Sequence, residues 1–473
     1  MTSTLRTNYS LPEMDRNAML HPMTDLSAYA HGQIAGPRII DTAEGVSIVD
    51  RDGRRYLDGF GGLYCVNVGY GRAEVADAIA DQARRLAYYH VYAGNSNEPS
   101  IRLADRLIAM SPKGMSKVYF GLSGSDANET NVKIVWYYNN VLGRPEKKKI
   151  IARHRAYHGA TIMAGSLTGL EVFHKAFDLP VDRVLRTTAP HHYREAEPGA
   201  TEQAFAQKCA QDLEELILRE DPATVAAFIG EPMMGSGGIV PPPEGYWQAI
   251  QPVLDKYDIL LIADEVVCGF GRLGSDFGSL HYGIKPDLMT VAKGLTSAYA
   301  PLSAAIIGER VWKVLEEGSA KFGPFAHGYT YSGHPIGAAA ALANLNIIER
   351  ERLAENAATV GRHIMKRLHE GLDDHPLVGE VRGEGLLFAV EIVADKAARR
   401  SFDPALKVGA RLSALCLDNG LIARAMPGGD ILGFAPPLVI TNSEADKLVD
   451  ITLAATDDLA EALGEEGIWQ GAA

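Results

Sequence analysis

The chain is poor in cysteine. It has four in 473 residues, Cys65, Cys209, Cys268 and Cys416, and they lie far apart. They match no disulfide framework and no zinc spacing, so a reducing cytosol is the expected home. No apolar run is long enough to cross a bilayer. The start, Met1-Thr-Ser-Thr-Leu-Arg6, lacks the basic-then-apolar order of a secretory signal. A positive charge surplus is missing as well. Lys and Arg number 46 against 59 Asp and Glu, a formal charge of −13, which argues against nonspecific binding to nucleic acid or an anionic membrane. Internal repeats and low-complexity tracts are absent. His281, His327 and His334 form no metal spacing with a Cys or Asp cluster, so they read as structural or peripheral and no metal is expected. What is present is ordinary globular composition, 47% apolar and 22% charged, in a chain long enough for two or three domains.

Residues 1–35 are polar and irregular, and are expected to wrap over the body or a partner subunit. Short strands are predicted over 39–57 around the turn Asp50-Arg-Asp-Gly53, then a glycine-rich loop, Gly59-Phe-Gly-Gly-Leu-Tyr64. Helical spacing follows at 73–87 and 100–110. The middle alternates strands (117–120, 149–153, 225–231, 303–308) with helices (126–142, 204–219). Two further apolar runs, Ile259-Leu-Leu-Ile-Ala-Asp-Glu-Val266 and Asp287-Leu-Met-Thr-Val-Ala-Lys-Gly294, read as buried strands. This alternation predicts an α/β fold with a mostly parallel sheet between helices. Beyond about residue 336 the pattern becomes long helices (335–350, 354–372), strands within 378–391 and a last helix, a smaller α+β domain. The expected division is an N-terminal segment, 1–70, packing with the small domain, a large domain, 71–335, and a small domain, 336–473.

Open α/β sheets place their chemistry at the carboxyl ends of the strands. There Lys293 can form a Schiff base with an aldehyde cofactor, and Asp264 can face the cofactor's ring nitrogen. Val266 points to the same face as Asp264 and can press on the ring. Ser123-Gly124-Ser125-Asp126, opening a helix, can cradle a phosphate. Tyr157, before His158-Gly159, can stack on a pyridine ring, and Glu231 can anchor a cofactor hydroxyl or position substrate. Each residue has a plainer alternative: a helix N-cap at Ser125 or Asp126, a tyrosine packed at a loop edge, a solvated glutamate, a capping or ion-paired aspartate, a lysine reaching solvent. The coincidence of all five strand ends suggests pyridoxal phosphate.

The motifs Ser123-Gly-Ser-Asp-Ala-Asn-Glu129, Tyr157-His-Gly159, Ile262-Ala-Asp-Glu-Val-Val-Cys-Gly-Phe-Gly-Arg272, Ala292-Lys-Gly294 and Gly328-Tyr-Thr-Tyr-Ser-Gly-His-Pro335 resemble those of class III pyridoxal-phosphate-dependent aminotransferases. That family has the fold-type-I, aspartate aminotransferase-like architecture. Gly62-Leu-Tyr-Cys-Val-Asn-Val-Gly-Tyr70 and Gly420-Leu-Ile-Ala-Arg424 are most similar to omega-aminotransferases that use pyruvate. The resemblance implies that Lys293 carries the cofactor and then moves the proton, and that Asp264 pairs with the ring nitrogen. Tyr157 and Val266 would take the two ring faces. Ser123, Gly124 and Ser125 would hold the phosphate, with Thr330 reaching across from a second subunit. His158 and Glu231 would lie at the cofactor, and Leu63, Tyr64, Tyr92, Tyr157 and Arg424 would shape the substrate pocket. Arg424 would bind the 2-oxo acid carboxylate in bidentate fashion.

The implied reaction moves the amino group of a primary amine or omega-amino acid to pyruvate, giving an aldehyde or ketone and alanine. A homodimer or tetramer with shared active sites is implied, without nucleic acid or membrane partners. A 2-oxoglutarate-dependent relative, such as the 4-aminobutyrate type, and a decarboxylating or aminomutase relative are the alternatives within the fold. A non-catalytic dimer of the same fold is the alternative outside it. A nucleotide-binding reading of Gly269-Phe-Gly-Arg-Leu-Gly274 fails because Ser275-Asp-Phe-Gly278 does not open like a helix. Three departures from the family bear on specificity. Tyr64 stands where tryptophan is frequent, which predicts more polar donors. Gly121-Leu122 replaces a polar residue before the phosphate turn, and Tyr331 stands where a small residue is common.

Overall fold

Strands buried on both faces carry unbroken apolar runs. Val225–Gly230 and Leu260–Asp264 are of this kind, and every residue in both is buried. They lie in the middle of a seven-stranded sheet in the computed structural model, which describes residues 9–34 and 36–470. From edge to edge the order is Met115–Gly121, Ser303–Gly308, Leu288–Val291, Leu260–Asp264, Val225–Gly230, Lys149–Arg153 and Val184–Thr187. All neighbours pair parallel except Ser303–Gly308, which runs antiparallel to both of its own. Helices Gly124–Val141 and Glu309–Phe322 share one apolar core with the sheet. Helices Glu202–Arg219 and Tyr246–Lys256 share another. This is the layered α/β architecture that strand–helix alternation dictates. Parallel pairing brings the carboxyl ends of Lys149–Arg153, Val225–Gly230, Leu260–Asp264 and Leu288–Val291 to one edge.

The C-terminal part builds an antiparallel sheet from Val378–Glu384, Leu387–Ile392, Ile431–Phe434 and Arg424–Ala425. Helices Leu353–Leu372, Val408–Asp418 and Asn442–Glu465 pack together with it. A third sheet joins Ile40–Glu44, Ser47–Asp50 and Arg55–Asp58 to Leu421–Ile422, the last pairing being parallel. Leu421–Ile422 and Arg424–Ala425 thus belong to different sheets, and Arg424 sits where the chain crosses between them.

Two buried polar assemblies close the seam between these parts. Arg272, fully buried, donates through Nη1 to the carbonyls of Leu386 (3.0 Å) and Pro436 (2.5 Å) and through Nη2 to Asn67 Oδ1 (2.9 Å). Arg382 joins Glu380 (2.6 Å) and Glu391 (2.5 Å), and Arg194 reaches Glu391 from the other side at 2.6 Å. Burial opposes ionisation of Glu391, but Arg382, His191 and Arg194 outweigh it and bring its pKa down to about 2.

The N-terminal segment departs from expectation. It was predicted irregular, yet it contains helices Leu11–Ala18 and Leu26–Ala30. A capping box between Ser10 and Glu13, with a proline in the first turn, starts the first. None of its residues is buried, so its side chains are not held by a core. Helix Tyr246–Lys256 also lies beyond the predicted elements, and it runs on through Pro252. The strand Val184–Thr187 and the helices Glu309–Phe322 and Val408–Asp418 are further elements beyond the predicted set. Among the described residues, no helix is long and apolar enough to cross a membrane.

Gly361, inside Leu353–Leu372, lies where any side chain would run into the backbone carbonyl of Gly385. Gly361→Ala should destabilise the protein by about 1–3 kcal/mol, the usual cost of overpacking a rigid contact. Denaturant unfolding measures it, and an unchanged midpoint would refute this account of the packing.

Candidate active site

Asp264 ends its strand at 3% exposure. A carboxylate there needs donors, and three reach it. Asn128 Nδ2 donates to Oδ2 at 2.9 Å, His158 Nδ1 lies 2.7 Å from the same oxygen, and the Val266 N–H donates to Oδ1 at 3.1 Å. These donors are themselves held. The Thr290 hydroxyl donates to Asn128 Oδ1 at 2.6 Å, and Asn131 Nδ2 donates to the Thr290 hydroxyl at 2.8 Å. The His158 N–H donates to Thr168 Oγ1 at 2.9 Å. Asp264 is therefore fixed in place, and its acceptor role puts the His158 proton on Nδ1.

Lys293 follows Leu288–Val291 in a short 3-10 turn, Lys293–Leu295. Its φ is +45°, a left-handed conformation that a lysine adopts only where the surroundings impose it. Asn344 imposes it. Its Nδ2 donates to the carbonyls of Gly294 (2.8 Å) and Leu295 (2.9 Å) from the alanine-rich helix Pro335–Arg350. Burial pulls the Lys293 ammonium below the usual lysine range, against the attraction of Asp264, Cys65 and Glu231. Among the described residues no carboxylate forms an ion pair with it. Its Nζ stands 5.5 Å from the centre of the Tyr64 ring.

Glu231 was open to the reading of a solvated loop residue. It is instead buried, accepting from the N–H groups of Tyr157 (3.2 Å) and Gly235 (2.7 Å). Burial raises its pKa. Tyr157 is partly buried and meets Phe173 edge-on at 5.3 Å. At the start of helix Gly124–Val141, the cap is Ser123 rather than Ser125 or Asp126. Its hydroxyl accepts from the Asp126 N–H, and the Asp126 side chain returns a capping bond. The Ser125 hydroxyl accepts from the Ala160 N–H at 3.1 Å. A Cβ at Gly124 would come within 2.9 Å of Val266, so only glycine lets the helix end approach Val266 this closely. The helix thus presents its first N–H groups, which have no intrahelical acceptor, beside Val266 and Asp264.

Tyr64 is 1% exposed and stacks obliquely on Phe60 at 4.3 Å. Arg424 lies over both rings, at 5.5 Å from Phe60 and 6.0 Å from Tyr64. The Tyr64 hydroxyl donates to Met426 Sδ at 3.6 Å, with Ser236 and Arg424 beside it. Leu63, Tyr92 and Thr330 are different. All three are exposed, and Tyr92 packs against Gly328, close to Thr330 on the surface. The Thr330 carbonyl accepts from Tyr88 at 2.6 Å. His327 stacks on Tyr119 at 5.1 Å and bonds Thr130.

The amine has a use only if an aldehyde reaches it, the carboxylate only if a cationic nitrogen does, and the helix end only if an anion does. Pyridoxal phosphate offers all three, and the residues present fit it. The molecule is a fold-type-I pyridoxal-phosphate enzyme. More narrowly, the chain belongs to the class III aminotransferases, whose family model, aminotransferase class-III, matches residues 28–455. It is 59% identical to a diaminobutyrate–2-oxoglutarate transaminase of Halomonas elongata, over 99% of this chain and 100% of the relative. It is 46% identical to a mitochondrial gamma aminobutyrate transaminase 1 of Solanum lycopersicum, over 88% of this chain and 80% of that one. Among solved structures it resembles the omega transaminase of Pseudomonas jessenii in complex with PMP. That match has a TM-score of 0.94 and 44% identity, covering 96% of this chain and 99% of that chain.

Asn128, Thr290 and Asn344 were missed by sequence reasoning. Their one signal was a polar residue on an otherwise apolar helix face or strand. Asn128→Ala removes a charge-assisted bond to Asp264 and should lower kcat by about 10- to 100-fold. Steady-state kinetics at saturating cofactor test it, and wild-type turnover would show that Asp264 does not need this donor.

Proposed function

We propose that this transaminase moves the amino group of a primary amine or omega-amino acid to pyruvate, releasing an aldehyde or ketone and alanine. The carrying observation is Arg424. Its guanidinium lies over Phe60 and Tyr64, with no carboxylate partner among the described residues, and is close enough to act on the Lys293 charge. A single guanidinium reads a single carboxylate in bidentate fashion, which suits a monocarboxylic 2-oxo acid. The aromatic floor beneath it suits donors without that group.

Pyridoxal phosphate, when bound, supplies the aldehyde that accepts the amino group and a ring that takes up negative charge from the reacting carbon. The protein supplies the rest. Asp264 would pair with the ring nitrogen and favour its protonated form. Val266 and Tyr157 would take the two ring faces. The helix end at Gly124 and Ser125, capped by Ser123, would hold the phosphate. His158 would act through Asp264, to which it is bonded, and Glu231 would act by holding the Tyr157 backbone. Lys293, whose pKa burial lowers, is the amine placed to take and return the substrate proton. Leu63, Tyr92 and Thr330 face outward, which supports a homodimer, or a pair of dimers, in which they complete the partner's pocket. Four unpaired cysteines support a cytoplasmic setting.

A second reading takes 2-oxoglutarate as acceptor, and the Halomonas relative's name favours it. Separate assays with pyruvate and 2-oxoglutarate decide between them. The first reading expects efficient turnover with pyruvate, and turnover with 2-oxoglutarate alone would replace it. Arg424→Ala should raise KM for the 2-oxo acid by about 10- to 100-fold, the value of a bidentate charged contact. An unchanged KM would remove Arg424 from carboxylate recognition.

A further inference from the structure

We propose that Arg155 is a positioning residue for carboxylate recognition, tying the hairpin that carries Arg424 to the segments that carry Tyr157 and Glu231. This inference rests on the reading of Arg424 given above.

Arg155 stands two residues before Tyr157 in a left-handed conformation, φ +65°, with its N–H bonded to the Gly169 carbonyl at 2.9 Å. Its side chain divides between two carbonyls. Nε donates to Gly237 at 3.0 Å and Nη2 to Gly428 at 2.9 Å. Gly237 belongs to the loop after Glu231, where the Glu231 carboxylate already holds the Gly235 N–H. Gly428 belongs to the turn that joins Arg424–Ala425 to Ile431–Phe434, closed by the bond from Met426 N–H to the Ile431 carbonyl at 2.8 Å. Arg424 pairs with Gly433 on that hairpin, and Met426 receives the Tyr64 hydroxyl. One guanidinium therefore connects the backbone of the Tyr157 segment, the Glu231 loop and the Arg424 hairpin.

The choice of arginine is informative. Arg155 is largely buried, and among the described residues no carboxylate forms an ion pair with it. A buried cation set against neutral carbonyls is an expensive way to join two loops. A planar fork, however, holds two acceptors in one plane through separate nitrogens at a fixed spacing, a geometry that the single terminal nitrogen of lysine or glutamine does not reproduce. The turn it grips reads Pro427-Gly428-Gly429, with Gly429 at φ +144°, and has little stiffness of its own. Arg382 grips the neighbouring carbonyls of Gly238 (2.7 Å) and Ile239 (2.9 Å), but it makes no hydrogen bond to the 426–430 turn. Among the described residues Arg155 makes the side-chain hydrogen bond between the Tyr157 segment and that turn, beside the apolar packing of Met426 and Ile431 with Ile239. Without it, Arg424 keeps its charge and loses its fixed distance from the ring-flanking residues.

The test compares holoenzymes of Arg155→Gln, Arg155→Lys and Arg424→Ala in half-reactions. The probes are alanine, which has an α-carboxylate, and 1-phenylethylamine, which has none; pyruvate is the acceptor. Arg155→Gln should raise KM for alanine and pyruvate about tenfold, the value of one charge-assisted hydrogen bond, and change KM for phenylethylamine by less than about twofold. Arg155→Lys, which keeps the charge but loses the planar fork and its spacing, should fall between. Equal changes for both amines, or no change for either, would overturn the proposal. If Arg155→Gln loses cofactor or melts early, Arg155→Lys carries the same comparison. The Arg424→Ala enzyme separates the two levels. If it shows no split between the amines, the carboxylate reading itself fails. If it shows the split and neither Arg155 variant does, only the positioning inference fails.

Discussion

A carboxylate buried at the end of the central strand is the constraint on which the rest depends. Asp264 is removed from water and receives donors from a helix, from a loop histidine and from its own turn. Such a group is stable only if its acceptor positions are filled and its charge is used. Asn128, Thr290 and Asn131 form a chain of hydrogen bonds behind it, and His158 closes the other side. The sheet fixes where Asp264 is, and the network fixes where it points. The ring nitrogen of pyridoxal phosphate would supply the cation for it, and the amine of Lys293 stands just beyond the end of the adjoining strand.

The fold class was legible because each layer follows a simple rule. Buried strands are unbroken apolar runs, and the carboxyl ends of parallel strands meet at one edge. Lys293 and Asp264 stood out because a charge ending such a run is conspicuous. The residues that hold them did not stand out. Asn344 looks like any polar residue on a long helix, yet it pins the Lys293 turn through two carbonyls. Glu231 looks like a loop acid until the Tyr157 and Gly235 amides are seen to converge on it. The helix Leu11–Ala18 is short and buries nothing, and the Ser10–Glu13 capping box was the local signature that could have marked its start. Long-range hydrogen bonds between segments far apart in sequence leave no local pattern to read.

The residues proposed to read the substrate meet at a seam. Arg424 and Met426 come from the C-terminal sheet, Phe60 and Tyr64 from the N-terminal segment, and Tyr157 and Glu231 from the large sheet's edge. The seam is held by charged groups bonded to backbone carbonyls, with Arg272, Arg382 and Arg155 each spanning more than one. An apolar seam could slide, whereas guanidinium forks set separations. On the proposed reading, the substrate side of the reaction depends on how these sheets meet, and the cofactor side on how one strand ends.

The central claim is that Lys293 is the amine that binds pyridoxal phosphate. Borohydride reduction of the purified holoenzyme followed by peptide mass spectrometry tests it directly. The account requires the reduced pyridoxyl group on the peptide containing Ala292-Lys293-Gly294 and nowhere else. Attachment to another lysine, or none after saturation with the cofactor, would contradict it.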